Sequence, residues 1–200
     1  MYKFSFLHLK FNMRKVNYKK ENLNKIILLA QELDSKALEE VIRRVQKEVF
    51  TIFSYLTNKR EDILDLTQEA LLKIAKSLPN LKDVKKFKAW VNQIVVNLYN
   101  DHMRKNPEKF VEISEEKFNE LKDKLGCEPG EKCFFVELDK IIKNALLTLP
   151  KNLRLAIILR EYEGLSYEDI AKITNAALGT VKSRISRARL KLQEQLQEFI

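Results

Sequence analysis

Residues 164–192, GLSYEDIAKITNAALGTVKSRISRARLKL, constrain this chain more than any other stretch. Ser166 can cap a short helix by accepting a hydrogen bond from the backbone N–H of Asp169, and Asp169 can answer it. Gly164 marks the end of the helix before. Ile170, Ala171 and Ile173 give the short helix an apolar face, and the run TNAALG interrupts the pattern. Val181, Ile185, Ala188 and Leu192 then recur at the spacing of one buried helical face. Thr180, Ser183, Arg184, Arg187 and Lys191 share another face, which holds hydroxyls and cations and no acid, with Lys182 and Arg189 on its flanks. A basic helix can simply be a solvated one. Coupled to a capped short helix and a tight turn, it suits the major groove, where cations meet phosphates and forked Arg side chains reach guanine edges.

The rest of the chain agrees with a polyanionic partner, since the formal net charge is +9. With four Gly and four Pro among 200 residues, and aliphatic residues at helical spacing, the sequence predicts an all-α protein of one domain or two small ones. No apolar run approaches the ~20 residues that cross a bilayer. The opening MYKFSFLHLKF lacks a small-residue cleavage site, so a soluble, cytoplasmic protein without membrane insertion is expected. Two Cys and two His are too few for a closed structural zinc site, and neither a metal nor another cofactor is expected. Residues 1–20 read as a disordered basic arm, in which Met13 offers an alternative start.

Helices follow in order. Leu23, Ile26, Ile27 and Ala30 share one face; Asp34 or Ser35 can cap the next helix, striped by Leu38, Val41, Ile42, Val45, Val49, Ile52, Phe53 and Leu56. A third begins near Ile63 with Leu66, Ala70, Ile74 and Leu78 inward, and Pro79 stops it. A fourth begins near Phe87, with Phe87, Trp90, Val91, Ile94, Leu98 and His102 on the buried spacing and Gln93, Asn97, Asn100 and Arg104 on a polar stripe. Amides can address base edges, and Arg104 can hold a phosphate. The loop before it, with Asn80, Lys82, Asp83, Lys85 and Lys86, can grip an unstacked strand. Residues 106–137, with Pro107 and Glu128-Pro129-Gly130, read as a flexible linker that contains a short helix, SEEKFNELKDKLG. Cys127 and Cys133 in it read as ordinary reduced thiols. From Leu138, the residues Ile141, Ile142, Ala145, Leu146 and Leu149 open a second unit, and Pro150 starts the helix KNLRLAIILREYE.

Residue for residue, GLSYEDIAKI…GTVKSRISRARLKL resembles the C-terminal DNA-reading domain of bacterial sigma factors of the extracytoplasmic-function group. EDILDLTQEALLKIAKSLPNL…FKAWVNQIVVNLYNDHMRK resembles their promoter-melting domain, with Asp65, Leu66, Gln68, Glu69, Phe87, Trp90, Asn97, Asp101 and Arg104 in its pattern. The turn before GTVKSR departs from the pattern: Asn175, Ala176 and Ala177 stand where the family has Gly and then Pro or Ser. The resemblance implies two helical domains, a region 2-like one at 21–105 and a region 4-like one at 138–200. It implies that Asp65, Leu66, Gln68 and Glu69 dock on the β′ clamp helices of core RNA polymerase. It also implies that residues 80–86 capture a flipped base of the −10 element, that the basic helix reads the −35 element, and that an anti-sigma factor controls the protein. Such a protein binds promoter DNA and performs no chemistry. A second reading is a helix-turn-helix regulator with a helical sensor or dimerisation domain, which has no reason to carry the DLTQE…FxxW…NxxxDxxR set. A third, a nucleic-acid enzyme, finds no paired carboxylates, P-loop or nucleophile–base pair.

Overall fold

The structure, a computed structural model, describes residues 17–106 and 131–197, with side chains in the second block from residue 138. Among the described residues all regular structure is helical. The N-terminal unit comprises α1 (Leu23–Gln31), α2 (Ser35–Leu56), α3 (Arg60–Ser77) and α4 (Phe87–Lys105). The C-terminal unit comprises α5 (Glu131–Thr148), α6 (Lys151–Ile157), α7 (Tyr167–Thr174) and α8 (Leu178–Leu196). A π-helical turn, Ile158–Tyr162, prolongs α6. Among the described residues no helix is long and apolar enough to cross a membrane. No group of His, Cys, Asp and Glu among the described residues could hold a metal ion.

Local chemistry explains the boundaries. Asn22 caps α1 by accepting from Asn24 N–H, and Asp34 caps α2 by accepting from Lys36 and Ala37. α3 starts at Arg60, earlier than the apolar stripe suggests, because Glu61 and Asp62 favour the positive end of a helix. Pro79 sits in a 3₁₀ turn, Leu78–Asn80, that ends α3. α5 begins at Glu131, inside the stretch read as linker, since no Gly or Pro separates Gly130 from the Leu138 stripe. The rest of that linker, with the SEEKFNELKDKLG helix and Cys127, lies outside the described residues.

The reading of 1–20 as a free arm needs correction at its end. Residues 1–16 lie outside the described residues, but 17–20 form a turn pinned to α2. Tyr18 donates its hydroxyl to Asp34 Oδ2 at 2.7 Å, and Arg44 donates to the Tyr18 and Lys19 carbonyls at 2.8 and 3.1 Å. Glu40 aims Arg44 and receives Arg43 as well. The two guanidiniums hold the Glu40 carboxyl at about 2, against an ordinary 4.5. A depressed carboxyl contributes stability that is fully present above its ordinary value and lost as pH falls through the folded one. The stability gap between wild type and Glu40→Gln is therefore expected to stay constant above about pH 5 and to close toward pH 2, as urea titrations across that range will show.

The two units are not separate in space. A continuous buried cluster joins Ile26, Phe53 and Tyr99 of the first to Leu149, Leu159, Ile170 and Ile185 of the second. Polar bridges reinforce it. Tyr55 donates to Asp139 Oδ1 at 3.0 Å, and Arg154 donates across the junction to the Leu56 carbonyl at 2.9 Å.

Candidate nucleic-acid interface

α7, its turn and α8 form the expected helix-turn-helix. Ser166 Oγ accepts from Asp169 N–H at 3.0 Å and donates to Asp169 Oδ2 at 2.6 Å, so Asp169 answers through its carboxylate. Asn175 ends α7 at φ 49°, ψ 49°, the left-handed geometry that the departure from Gly puts in question and that Asn tolerates. Gly164, at φ 67°, ends the π turn. The widened turn sets the entry to α7: Leu165 N–H reaches back to the Leu159 carbonyl. Val181, Ile185 and Ala188 are buried, and Ile170 and Ile173 receive them in the core.

The opposite face of α8 is open. Lys182, Ser183, Arg187 and Lys191 are exposed, and Thr180 and Arg184 half-exposed. Among the described residues none of these four cations enters an ion pair, whereas Arg189 on the flank is held by Glu161. Ser183 donates its hydroxyl back to the Thr180 carbonyl at 2.9 Å, which leaves its oxygen as an acceptor. Unpaired cations on one face, backed by a buried apolar one, are what a phosphate backbone needs.

In the N-terminal unit the loop between α3 and α4 folds as two 3₁₀ turns, Leu78–Asn80 and Val84–Lys86. Asn80, Lys82, Lys85 and Lys86 are exposed on it. Asp83, also exposed, accepts from Lys85 N–H at 3.0 Å, so its carboxylate shapes the second turn. The polar stripe of α4 divides. Asn97, Asn100 and Arg104 face solvent, with Arg104 on Asp101 at 3.0 Å. Gln93 is half-buried and donates to Asn97 Oδ1 at 2.9 Å and to the Ile173 carbonyl of α7 at 3.2 Å. Trp90, read as a core residue, is half-buried against Phe87 at 5.8 Å between ring centres. With Lys82, Lys86 and Gln93 it lines a cleft of about 460 Å³ whose far wall is Asp169, Lys172 and Ile173. Asn92, which stands beside Gln93 in the sequence, is buried and donates to Glu163 Oε2 at 2.9 Å.

On α3, Asp65, Gln68 and Glu69 are exposed, and Glu69 pairs with Lys73 at 3.2 Å. Leu66 is not on that surface: it is 3% exposed and packs inward with Ala70 and Ile74. The leucines that do flank the acids are Leu64 and Leu72, 50% and 52% exposed, and being off the core stripe is the only sign of it in the sequence. Asp62 turns inward instead, with Oδ2 at 3.3 Å from His102 Nε2.

Comparison with known proteins gives the arrangement a family. The sigma-70 region 2 model matches residues 41–107, and the sigma-70 region 4 model matches residues 139–192. The RNA polymerase sigma-H factor of Pseudomonas aeruginosa is 30% identical over 188 residues, spanning 90% of this chain and 96% of that protein. The ECF RNA polymerase sigma-E factor of Escherichia coli K12 is 33% identical over 176 residues, spanning 85% and 92%. Among solved structures, the sigma factor RpoE in complex with the anti-sigma factor NepR, from Bartonella quintana, superposes with a TM-score of 0.61 at 30% identity and covers 81% of this chain and 98% of that one. CnrH in complex with the cytosolic domain of CnrY reaches the same TM-score at 19% identity, over 88% and 97%, a likeness of fold. The helix-turn-helix, the loop-bearing helical unit ahead of it and these relatives agree: the chain belongs to the extracytoplasmic-function group of the sigma-70 family, promoter-recognising factors of transcription initiation.

Proposed function

We propose that this sigma factor docks on core RNA polymerase through the exposed face of α3, reads the −35 element with α8 and captures the −10 element with residues 80–86 and α4. One observation carries the proposal: the open, acid-free face of α8, whose Lys182, Arg184, Arg187 and Lys191 have no ion-pair partner among the described residues. Thr180 and Ser183 add hydrogen-bonding groups beside them. On α3, Asp65, Gln68 and Glu69 alternate with Leu64 and Leu72, the mixed apolar and polar surface of a protein interface rather than of a nucleic-acid one. Asn80, Lys82, Lys85 and Lys86 surround the loop, Asp83 holds its second turn, and Gln93, Asn97, Asn100 and Arg104 continue along α4. The protein positions DNA and polymerase in the cytoplasm and carries out no reaction itself. Its −10 unit spans 21–105, and its −35 unit begins with α5 at Glu131. An anti-sigma partner fits the apolar groove of about 370 Å³ where both units meet, lined by Tyr55, Ile142, Leu146, Tyr162 and Leu192. The related RpoE was solved in complex with such a factor.

Run-off transcription with purified core polymerase tests this in two arms. Asp65→Lys with Glu69→Lys is expected to weaken core binding by about tenfold or more, as close charge pairs across interfaces do, and leave the fold intact. Arg184→Ala with Arg187→Ala is expected to keep core binding and lose discrimination at the −35 element, each lost bidentate guanine contact costing about 1–3 kcal/mol. Folded variants with unchanged core affinity in the first arm and unchanged promoter preference in the second would refute the assignment.

A further inference from the structure

Gln31, the last residue of α1, reaches across to the loop between α3 and α4. Its Nε2 donates to the Leu78 carbonyl at 3.0 Å and to the Leu81 carbonyl at 2.8 Å. Those two carbonyls bracket the first 3₁₀ turn, which Leu81 N–H closes onto Leu78 at 3.1 Å. One side-chain amide therefore spends both its protons on the backbone that presents Asn80. Leu78 is fully buried, so the end of the loop nearer α3 is fixed in the core and the amide fixes the far side of the turn to it.

The end of α1 is itself built at a cost. Asp34 N–H reaches the Leu29 carbonyl and Leu33 N–H the Ala30 carbonyl, the Schellman closure that ordinarily takes Gly at the left-handed position. Here that residue is Leu33, at φ 68° and 87% exposed, so no burial offsets its strain. Asp34 is held in turn by Tyr18 and caps α2. The tight stop keeps Gln31 at the helix end, in reach of the loop.

We infer that Gln31 is a positioning residue for −10 recognition: it sets the conformation of the loop turn that carries Asn80 and touches no DNA itself. The inference rests on the proposal that residues 80–86 capture the −10 strand. A loop that must trap a base as it escapes the duplex works best already in shape, since ordering it at that moment costs conformational entropy. Loss of the two bonds, each modest by itself, is expected to slow opening by about tenfold.

The test uses the full chain with core polymerase, on duplex promoters and on promoters with a pre-melted −10 bubble. Gln31→Met keeps the length and packing of the side chain and removes both donors; Gln31→Ala serves as a second variant, and circular dichroism fixes the folded fraction of each. Asn80→Ala is run beside them. The expected result is slower open-complex formation on duplex DNA, recovery on the bubble, and a flattened base preference at one −10 position, with −35 preference and core affinity unchanged. A structural role alone would lower folded fraction and all activities together, and would leave base preference as in wild type. If Asn80→Ala flattens the preference and both Gln31 variants do not, the positioning role is wrong and the loop assignment stands. If none of the three alters it, the loop assignment falls and the inference falls with it.

Discussion

Arg154→Met is expected to destabilise the protein by about 3–5 kcal/mol, a large share of what holds any domain together. The guanidinium is 1% exposed. Nη1 donates to the Leu56 carbonyl at 2.9 Å, and Nη2 donates to the Leu147 and Leu149 carbonyls at 2.7 and 2.9 Å. Leu56 is the last residue of α2, and Leu147 and Leu149 lie at the end of α5. The negative ends of two helix dipoles thus converge on one cation, one from each unit. Tyr99 donates to the same Leu56 carbonyl at 3.3 Å, and burial pushes its hydroxyl up to about 12, so it remains a neutral donor. Methionine fills the space and leaves buried acceptors without their donor, at about 1–3 kcal/mol for each. Arg154→Lys keeps the charge but not the fork, and is expected to fall between wild type and Arg154→Met. Thermal unfolding gives the readout: a drop of about 10 °C and the splitting of one transition into two, as the units lose their common anchor. A single transition within about 1 kcal/mol of wild type would show that the carbonyls find water instead.

Residue spacing made the helices legible because each buries one stripe: Val41, Val45, Val49 and Ile52 in α2, or Val181, Ile185 and Ala188 in α8, are all inside. The exposure of the basic face of α8 was legible for the complementary reason, since whatever is off that stripe and basic must point outward. The same logic misleads where a residue belongs to a motif and to the core together. Leu66 stands in the DLTQE run, but period and burial assign it to the interior, and Leu64 and Leu72 take the surface. What spacing cannot carry is contact between distant segments. Gln31 against Leu81, Asn92 against Glu163 and Arg154 against Leu56 are each polar residues whose meaning depends on a partner far away in the chain. Read locally, they are a helix end, one of two adjacent amides and a surface-type cation. The packing of the two units on each other escaped for that reason, and it bears directly on how the protein works.

Asn92→Leu is expected to open the two units and to raise the free protein's affinity for a pre-melted −10 strand by about tenfold or more. In the closed arrangement α7 sits against the cleft proposed above for the −10 strand: Gln93 is tied to the Ile173 carbonyl, and Asp169, Lys172 and Ile173 wall the space beside Lys82, Lys86 and Trp90. Such a form cannot read both elements at once. A compact chain of this length has a radius of gyration of about 16 Å, hence a diameter of roughly 40 Å. Elements 25 base pairs apart lie about 85 Å apart along B-DNA at 3.4 Å per step. The units must separate on the promoter, and whatever holds them closed opposes binding. The polar tie nearest that cleft is Asn92 Nδ2 on Glu163 Oε2 at 2.9 Å, both residues less than 5% exposed, with Lys88 Nζ at 3.5 Å from the same oxygen. A hydrogen bond to a charged group contributes about 1.5–3 kcal/mol, and its loss shifts a closed-to-open equilibrium by about 10- to 150-fold. Leucine in place of Asn92 also leaves the Glu163 carboxylate buried with one exposed lysine for company, which favours its escape to water. Glu163→Gln keeps an acceptor for Asn92 and no buried charge, so it is expected to stay closed. Small-angle scattering should show a larger radius of gyration for Asn92→Leu than for wild type or Glu163→Gln, and fluorescence anisotropy with a single-stranded −10 probe should show tighter binding for Asn92→Leu alone. An Asn92→Leu protein that keeps the wild-type radius and the wild-type affinity would mean that the remaining contacts, Arg154 on the Leu56 carbonyl among them, suffice to hold the units together, and that polymerase must pry them apart.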